Sequence, residues 1–444
     1  MSQMSLPDSQ PPEPVDVVVV GAGLAGLACA QQLTAAGLSV RLLEAADSPG
    51  GRIRTDRVDG FLLDRGFQVL LTEYPEAQRL FDYPMLELRP FLPGALVRQA
   101  GSFHRFADPF REPAKSLAFL FDSIVPLRDK LLVARLRGEC LQLTTERVFA
   151  SEEETTREYL RRFGFSPFII ERFFEPFFGG VFIERNLSTS ARWFRWLFSI
   201  FARGHAAVPR LGMERLPQQL AARLPDQTLR LNSTVTRIEK TATGWLVEAD
   251  GPAKYLARRL VLATPDAQTR SLMATVRSPG VAPNRVWNRT TTIYYAASHA
   301  PVEEPVVILN GDGPSAGPVN HLAVMSMVTA DYAPPGAHLI CANVLGAAPE
   351  SDDAMQKLES QVRAQMRRWF GEPVNRWNVL AGYPIARALP MQTSLQPFRA
   401  APIDSGVLLC GDHVASSSIQ GALVSGRMAA LRILNPSSTP STAT

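Results

Sequence analysis

The sequence predicts an α/β protein in which a parallel-sheet domain is assembled from separated stretches of chain and a second domain fills the insertions. Three observations predict it. Continuous apolar runs of the buried parallel-strand type recur far apart, at residues 17–20, 260–263 and 407–410. A glycine-rich turn joins the first run to a helix of small residues, which is the opening of a βαβ unit. Between the runs lie a helical stretch, 81–203, and a strand-rich one, 290–343. A chain of 444 residues also exceeds what one compact core usually takes.

Composition narrows the class. Hydrophobic residues at 46% and charged residues at 20% argue against wholesale disorder. Cys29, Cys140, Cys341 and Cys410 lie far apart with no CxxC pair, against a disulfide scaffold, an iron–sulfur cluster or a metal site. That usage suits a reducing, cytoplasmic compartment. The net charge of +4 includes no long basic run, so no nucleic-acid partner is expected. Residues 17–40 carry no charge, yet their glycines and Gln31-Gln32 fit a strand–turn–helix better than a membrane span. The polar segments 1–14 and 436–444 read as disordered tails.

In order, a strand at 17–20 runs into Gly21-Ala22-Gly23-Leu24-Ala25-Gly26, and a helix follows to about Ala36, stopped by Gly37. A second strand, 39–43, ends at Glu44. Helical patterns at 115–127 and 130–143 come next. Strands are expected at 229–231, 235–239, 245–249 and 260–263, helices at 352–370 and 421–433, and a late strand at 407–410. The glycine motif is a Rossmann-like dinucleotide fingerprint. Gly21 permits the tight turn, Gly23 lets the backbone approach a pyrophosphate, and Gly26 lets helix and strand close up. Leu24 and Ala25 open the helix, whose N-terminal N–H groups favour phosphate. Glu44, 18 residues after Gly26, would accept both ribose hydroxyls.

The second motif decides which dinucleotide. Pro49-Gly50-Gly51-Arg52 follows the second strand directly, and Asp64-Arg65-Gly66-Phe67-Gln68 comes soon after. Here the sequence resembles the FAD-dependent amine oxidase and phytoene desaturase superfamily. The resemblance implies that Gly50, Gly51 and Arg52 lie along the diphosphate and flavin, and that the Gly66 segment passes near the isoalloxazine. It implies that Val235 faces the adenine through its backbone, with Thr264 on the returning strand segment. It extends to Gly411-Asp412, where Asp412 reaches ribityl or phosphate oxygens, and to Gln420-Gly421-Ala422, which opens a helix aimed at the flavin edge. The implied fold is a Rossmann-like FAD-binding domain of the glutathione-reductase type with an inserted α+β substrate domain. Expected boundaries are 15–75, 205–280 and 395–435 for the FAD domain, and 76–204 and 281–394 for the substrate domain. FAD should be non-covalent, since Cys410, the nearest cysteine, precedes the Gly-Asp pair.

The substrate is less legible. Thirteen aromatic residues crowd 163–201, interleaved with arginines. They fit a packed core, a greasy substrate tunnel or peripheral contact with a membrane. Amine-oxidising members carry a mid-chain Lys near flavin N5 and an aromatic residue just before the final flavin helix. This chain has no Lys between Lys254 and Lys357, and Ser418 stands at the second position. The resemblance is therefore closer to desaturase-like members. The expected function is an FAD-dependent oxidoreductase that takes a hydride from an apolar substrate of carotenoid, isoprenoid or protoporphyrinogen type. Amine or amino-acid oxidation, redox-neutral isomerisation and a non-catalytic prenyl-group binder are the alternatives. Acid–base candidates are few: Arg65 and Gln68 on the isoalloxazine or substrate side, and His413, near the flavin or on a solvent-facing loop. The electron acceptor is open, since oxygen, a quinone and a second protein all fit.

Overall fold

The computed structural model describes residues 11–106, 111, 125–274, 285–398, 400–404 and 406–436. The chain divides into two compact units: Met1–Gly51, Leu216–Arg285 and Pro397–Thr444 form one, and Arg52–Arg215 and Val286–Gln396 the other.

The first unit holds an eight-stranded sheet. Its main path runs Leu229–Arg230, Val40–Leu43, Glu13–Val20, Lys254–Leu262, Trp245–Ala249, Val235–Lys240. Glu13–Val20 pairs in parallel with both neighbours, and Val17, Val18 and Val19 are fully buried, as an apolar run covered on both faces should be. Burying each such side chain stabilises by about 1.5–3 kcal/mol. The strand begins earlier than expected. Glu13 and Pro14, assigned to a tail from their polarity, pair opposite Tyr255 and Leu256. Lys254–Leu262 serves two partners. Its first half pairs antiparallel with Trp245–Ala249, and Leu260–Leu262 pair in parallel with Val407–Leu409. The closing helix, Ile419–Leu434, packs on the first helix, Leu24–Ala35. Gly426 permits this, because a Cβ there would sit 2.2 Å from the Ala25 carbonyl oxygen.

The second unit is built on a mixed seven-stranded sheet, ordered Asn378–Pro390, Trp287–Ala297, His338–Leu345, Val319–Val324, Val307–Asn310, Ala95–Gln99, Ser102–Phe106. Helix Asp352–Phe370 starts at Ser351, whose hydroxyl accepts the Ala354 N–H, and buries Leu358, Val362, Met366 and Trp369 with the sheet's Ile293 and Ile340.

Residues 52–75 and 205–215 belong to this unit, where the sequence reading gave them to the nucleotide domain. The hairpin Thr55–Val58/Phe61–Asp64 is bonded into it through Asp64, and Leu70–Leu71 pairs with Ala206–Val208 in a small sheet. The helix expected at 115–127 falls outside the described residues as far as 124. Leu127–Leu141 is helical where 130–143 was expected.

None of the thirteen aromatic residues of 163–201 is exposed. Phe178 meets Phe194 edge-on at 4.7 Å, Phe173 stacks on Phe177 at 5.5 Å, and Phe174, Phe178, Phe194 and Trp193 are fully or almost fully buried. Six of the thirteen are buried and seven half-buried, and they pack on one another around a π-helical turn, Ile170–Phe174, between two α-helices. Arginines tie it to other elements: Arg157, on the helix leading into it, pairs with Glu175 at 2.7 Å, and Arg172 within it donates to the Gly311 carbonyl. Among the described residues no helix is long and apolar enough to cross a membrane.

Candidate cofactor-binding site

In the first unit the glycine turn is tightly determined. Gly21 has φ +101°, and a Cβ there would lie 2.9 Å from the Ala263 carbonyl oxygen, with the Thr264 methyl at 3.5 Å. Gly26 is more constrained still, since a Cβ would fall 1.9 Å from Gly21 O. Gly23 differs: nothing lies within 4 Å of its virtual Cβ. The helix that begins at Leu24 has neither a side-chain cap nor an acidic residue in its first turn, so its leading N–H groups have the environment an anion would fill. The Gly50-Gly51 motif meets this turn directly. Gly50 N–H donates to Ala22 O at 2.8 Å, Gly23 and Gly50 form a parallel bridge, and Gly51 has φ +60°.

Glu44 closes the other side. Its Oε2 accepts the Ala22 N–H at 2.7 Å and its Oε1 the Ala46 N–H at 3.0 Å. Each oxygen keeps a second lone pair for a ribose hydroxyl, so the carboxylate is oriented without being saturated. Val235 lies where the strand register shifts against Trp245–Ala249. The donor set, the open space at Gly23 and the uncapped helix together fit the pyrophosphate and ribose of FAD.

The closing block is also in this unit. Gly411 donates its N–H to Ser425 Oγ at 2.8 Å, and Asp412 is buried at the start of a 3-10 turn. Ser418 caps the closing helix by accepting the Gly421 N–H at 2.9 Å, with Gln420 and Ala422 in its first turn. A Cβ on Gly421 would fall 1.8 Å from Ser416 O. His413 is buried, not solvent-facing. Its ring folds back over Gly411, filling the space a Cβ would need. Arg285, which no motif signals, sits under the influence of Asp266 and Asp412; burial holds its guanidinium below its ordinary range.

The second unit carries Arg52, Arg65, Gly66 and Gln68. Arg52 lies over the Trp287 ring at 5.3 Å and donates to Ala388 O. Arg65 forms a bidentate pair with Asp56 at 2.8–3.2 Å, which draws the Asp56 carboxyl below its ordinary range; Tyr383 OH adds a second donor. This pairing makes Arg65 a structural tie. Gln68 Nε2 donates to the Arg52 and Arg65 carbonyls, and its buried Oε1 has no partner. Gly66 has φ +105°, and a Cβ there would lie 2.8 Å from Ile385 Cδ1. Beneath this turn, Asp64 is buried and accepts from Thr55 Oγ1 at 2.6 Å, Met213 N at 2.9 Å and Tyr332 OH at 2.8 Å. No cluster able to hold a metal occurs among the described residues.

Residues 24–434 match the family model for flavin containing amine oxidoreductases, and the chain belongs to that family. Its class is therefore that of FAD-dependent oxidoreductases. Protoporphyrinogen oxidase 2 of Arabidopsis thaliana is 27% identical over 165 residues, 37% of this chain and 32% of that protein. The 15-cis-phytoene desaturase of an Oncidium hybrid cultivar is 42% identical over 111 residues, 24% of this chain and 19% of that protein. The matched stretches thus span a third or less of these curated relatives. Putrescine oxidase bound to putrescine shares the fold at a TM-score of 0.68 and 18% identity, covering 96% of this chain and 99% of that one.

Glu44→Gln tests the ribose arm. The amide must present an N–H to either the Ala22 or the Ala46 N–H, so the side chain turns away. FAD affinity should fall about tenfold or more, read by titrating apoprotein with FAD.

Proposed function

We propose that this enzyme oxidises a largely apolar substrate, forming a double bond as hydride and proton leave adjacent atoms. An isoprenoid or carotenoid desaturation leads, with porphyrinogen oxidation beside it. The observation that carries this is strand Trp287–Ala297. Where amine-oxidising members of the superfamily carry a lysine, this strand offers Thr290 and Thr292, whose hydroxyls are bonded to Asn343 at 2.7 and 3.1 Å. Ser418, at the place of the amine-cage aromatic, is engaged as a helix cap.

Bound FAD supplies the two-electron acceptor at ring N5. The chain's own contribution is alignment and a dry surrounding, for which no protein nucleophile is required. The glycine turn and Glu44 fix the nucleotide end, and the superfamily resemblance assigns the Gly66 turn to the isoalloxazine. Non-covalent binding is supported by Cys410, fully buried with its thiol pushed up to about 12 by that burial.

The test is an absorption spectrum of the purified protein, then anaerobic bleaching by isoprenoid, tetrapyrrole and amine compounds. A yellow protein bleached by one of the first two classes is the expected result. Bleaching by amines alone would replace this reading with amine oxidation. A colourless protein that cannot be reconstituted with FAD would leave a prenyl-binding module.

A further inference from the structure

We propose that His321 is a positioning residue for the Gly66–Phe67–Gln68 turn, acting through Phe67. The inference deepens the proposed function and rests on it for its bearing on the flavin. His321 lies on strand Val319–Val324 and is buried. Its ring meets Phe67 edge-on, with centroids 4.7 Å apart and planes at 68°. Phe67 is also held by its backbone, since its N–H donates to Thr292 Oγ1 at 3.2 Å. These two grips are one network. Thr292 Oγ1 is bonded to the Asn343 carboxamide at 3.1 Å, and that carboxamide lies 3.3 Å from His321 Nε2. The contacts close a circuit from Phe67 N–H through Thr292, Asn343 and His321 back to the Phe67 ring.

The imidazole has no slack. A Cβ on Gly180 would come within 2.9 Å of its Nδ1, so helix Glu175–Phe182 closes on that side. The ring is neutral, because burial pushes its pKa down to about 3. It therefore carries one N–H between two carboxamides. Asn320 Nδ2 donates to Pro176 O at 2.8 Å and sends its second hydrogen to Nδ1, 3.1 Å away. Nδ1 is thereby an acceptor, and Nε2 adjoins the Asn343 carboxamide, whose Oδ1 takes the Thr290 and Thr292 hydroxyls. The Thr290 hydroxyl also lies 2.9 Å from Val344 O. On its far side the turn meets Ile385, against which only a glycine fits at position 66. Loss of the imidazole removes the nearer of the two rings that pack edge-on against Phe67, Phe91 being the other at 6.1 Å.

The test compares His321→Leu, His321→Gln and Phe67→Leu with Val379→Ala, a change at an exposed site in the same sheet. Hydrogen exchange at the Phe67 amide and the visible circular dichroism of bound flavin are measured in each. The Leu variants should exchange at least about tenfold faster at that amide and alter the flavin signal with FAD content retained. His321→Gln, which keeps a polar partner for the carboxamides, should move both readouts back towards the parent, and Val379→Ala should change neither. Unchanged exchange at Phe67 in both Leu variants overturns the proposal, and so does faster exchange with an unchanged flavin signal. A parent protein without flavin refutes the functional reading instead, and exchange alone then decides the positioning role.

Discussion

Gly26→Ala should yield a protein retaining less than roughly a tenth of the parent's FAD, a loss of more than about 1.4 kcal/mol in affinity. The added methyl carbon would lie 1.9 Å from Gly21 O and 3.2 Å from the Ala263 side chain. The first contact is with backbone, which no rotamer change relieves, so helix and turn must separate. That displaces the helix N-terminus and the Ala22 carbonyl that receives Gly50 N–H, loosening both glycine motifs together. Gly23→Ala separates binding from folding. Its Cβ meets nothing within 4 Å, and its φ of −70° suits any residue. That variant should melt with the parent yet bind FAD more weakly, because the methyl enters space reserved for phosphate. Flavin content and melting temperature, measured side by side, check both. Full FAD retention in Gly26→Ala would refute this account of the turn.

The second large effect is on stability. Asp64→Ala should destabilise the protein by about 3 kcal/mol or more, since it leaves the Thr55 hydroxyl, Met213 N–H and Tyr332 hydroxyl facing a cavity. Asp64→Asn is the milder change, because its oxygen can keep Thr55 and Met213 while its nitrogen donates to Tyr332. The two variants also separate the pH dependence. Burial lifts the Asp64 carboxyl from 3.8 to about 6 despite its donors. Between those values the folded protein binds a proton that the unfolded chain does not. Asp64 therefore adds stability as pH falls from about 7 towards 4, by up to about 3 kcal/mol, and that increment disappears as pH rises through 6. Buried His321, with its pKa lowered, acts in the opposite sense over the same range. Denaturation at pH 7 and pH 5 should therefore be compared as the difference between parent and Asp64→Asn. A difference that does not change with pH would mean that Asp64 does not titrate there.

Much of the first unit was legible because its signals are local. The apolar run at 17–20, the Gly21–Gly26 spacing and Glu44 at the end of the next strand each express a backbone requirement met within a few residues. The helix Asp352–Phe370 and all but the ends of Ile419–Leu434 likewise followed from apolar period, while the serine caps that start them emerged from the structure. The aromatic stretch was not decidable in this way, because a ring in a core and a ring lining a tunnel have the same period. Its burial emerges only from the packing of Phe174, Phe178 and Phe194 on one another.

The nucleotide fold was readable from the chain alone, because the turn needs the positive φ of Gly21 and the close backbone approach at Gly26. The cofactor class followed from the resemblance of the Gly50-Gly51-Arg52 and Gly411-Asp412 blocks to a known family. Only the tertiary structure decided which partners the polar side chains take. It gave Arg65 to Asp56, folded His413 over Gly411, moved residues 52–75 into the second unit, and set Asp64 and His321 beneath the Gly66 turn. The hydrogen bonds among those choices join residues from nine to 268 positions apart. A buried polar group takes whatever donor or acceptor the packed fold brings to it, and no local pattern in the chain encodes that.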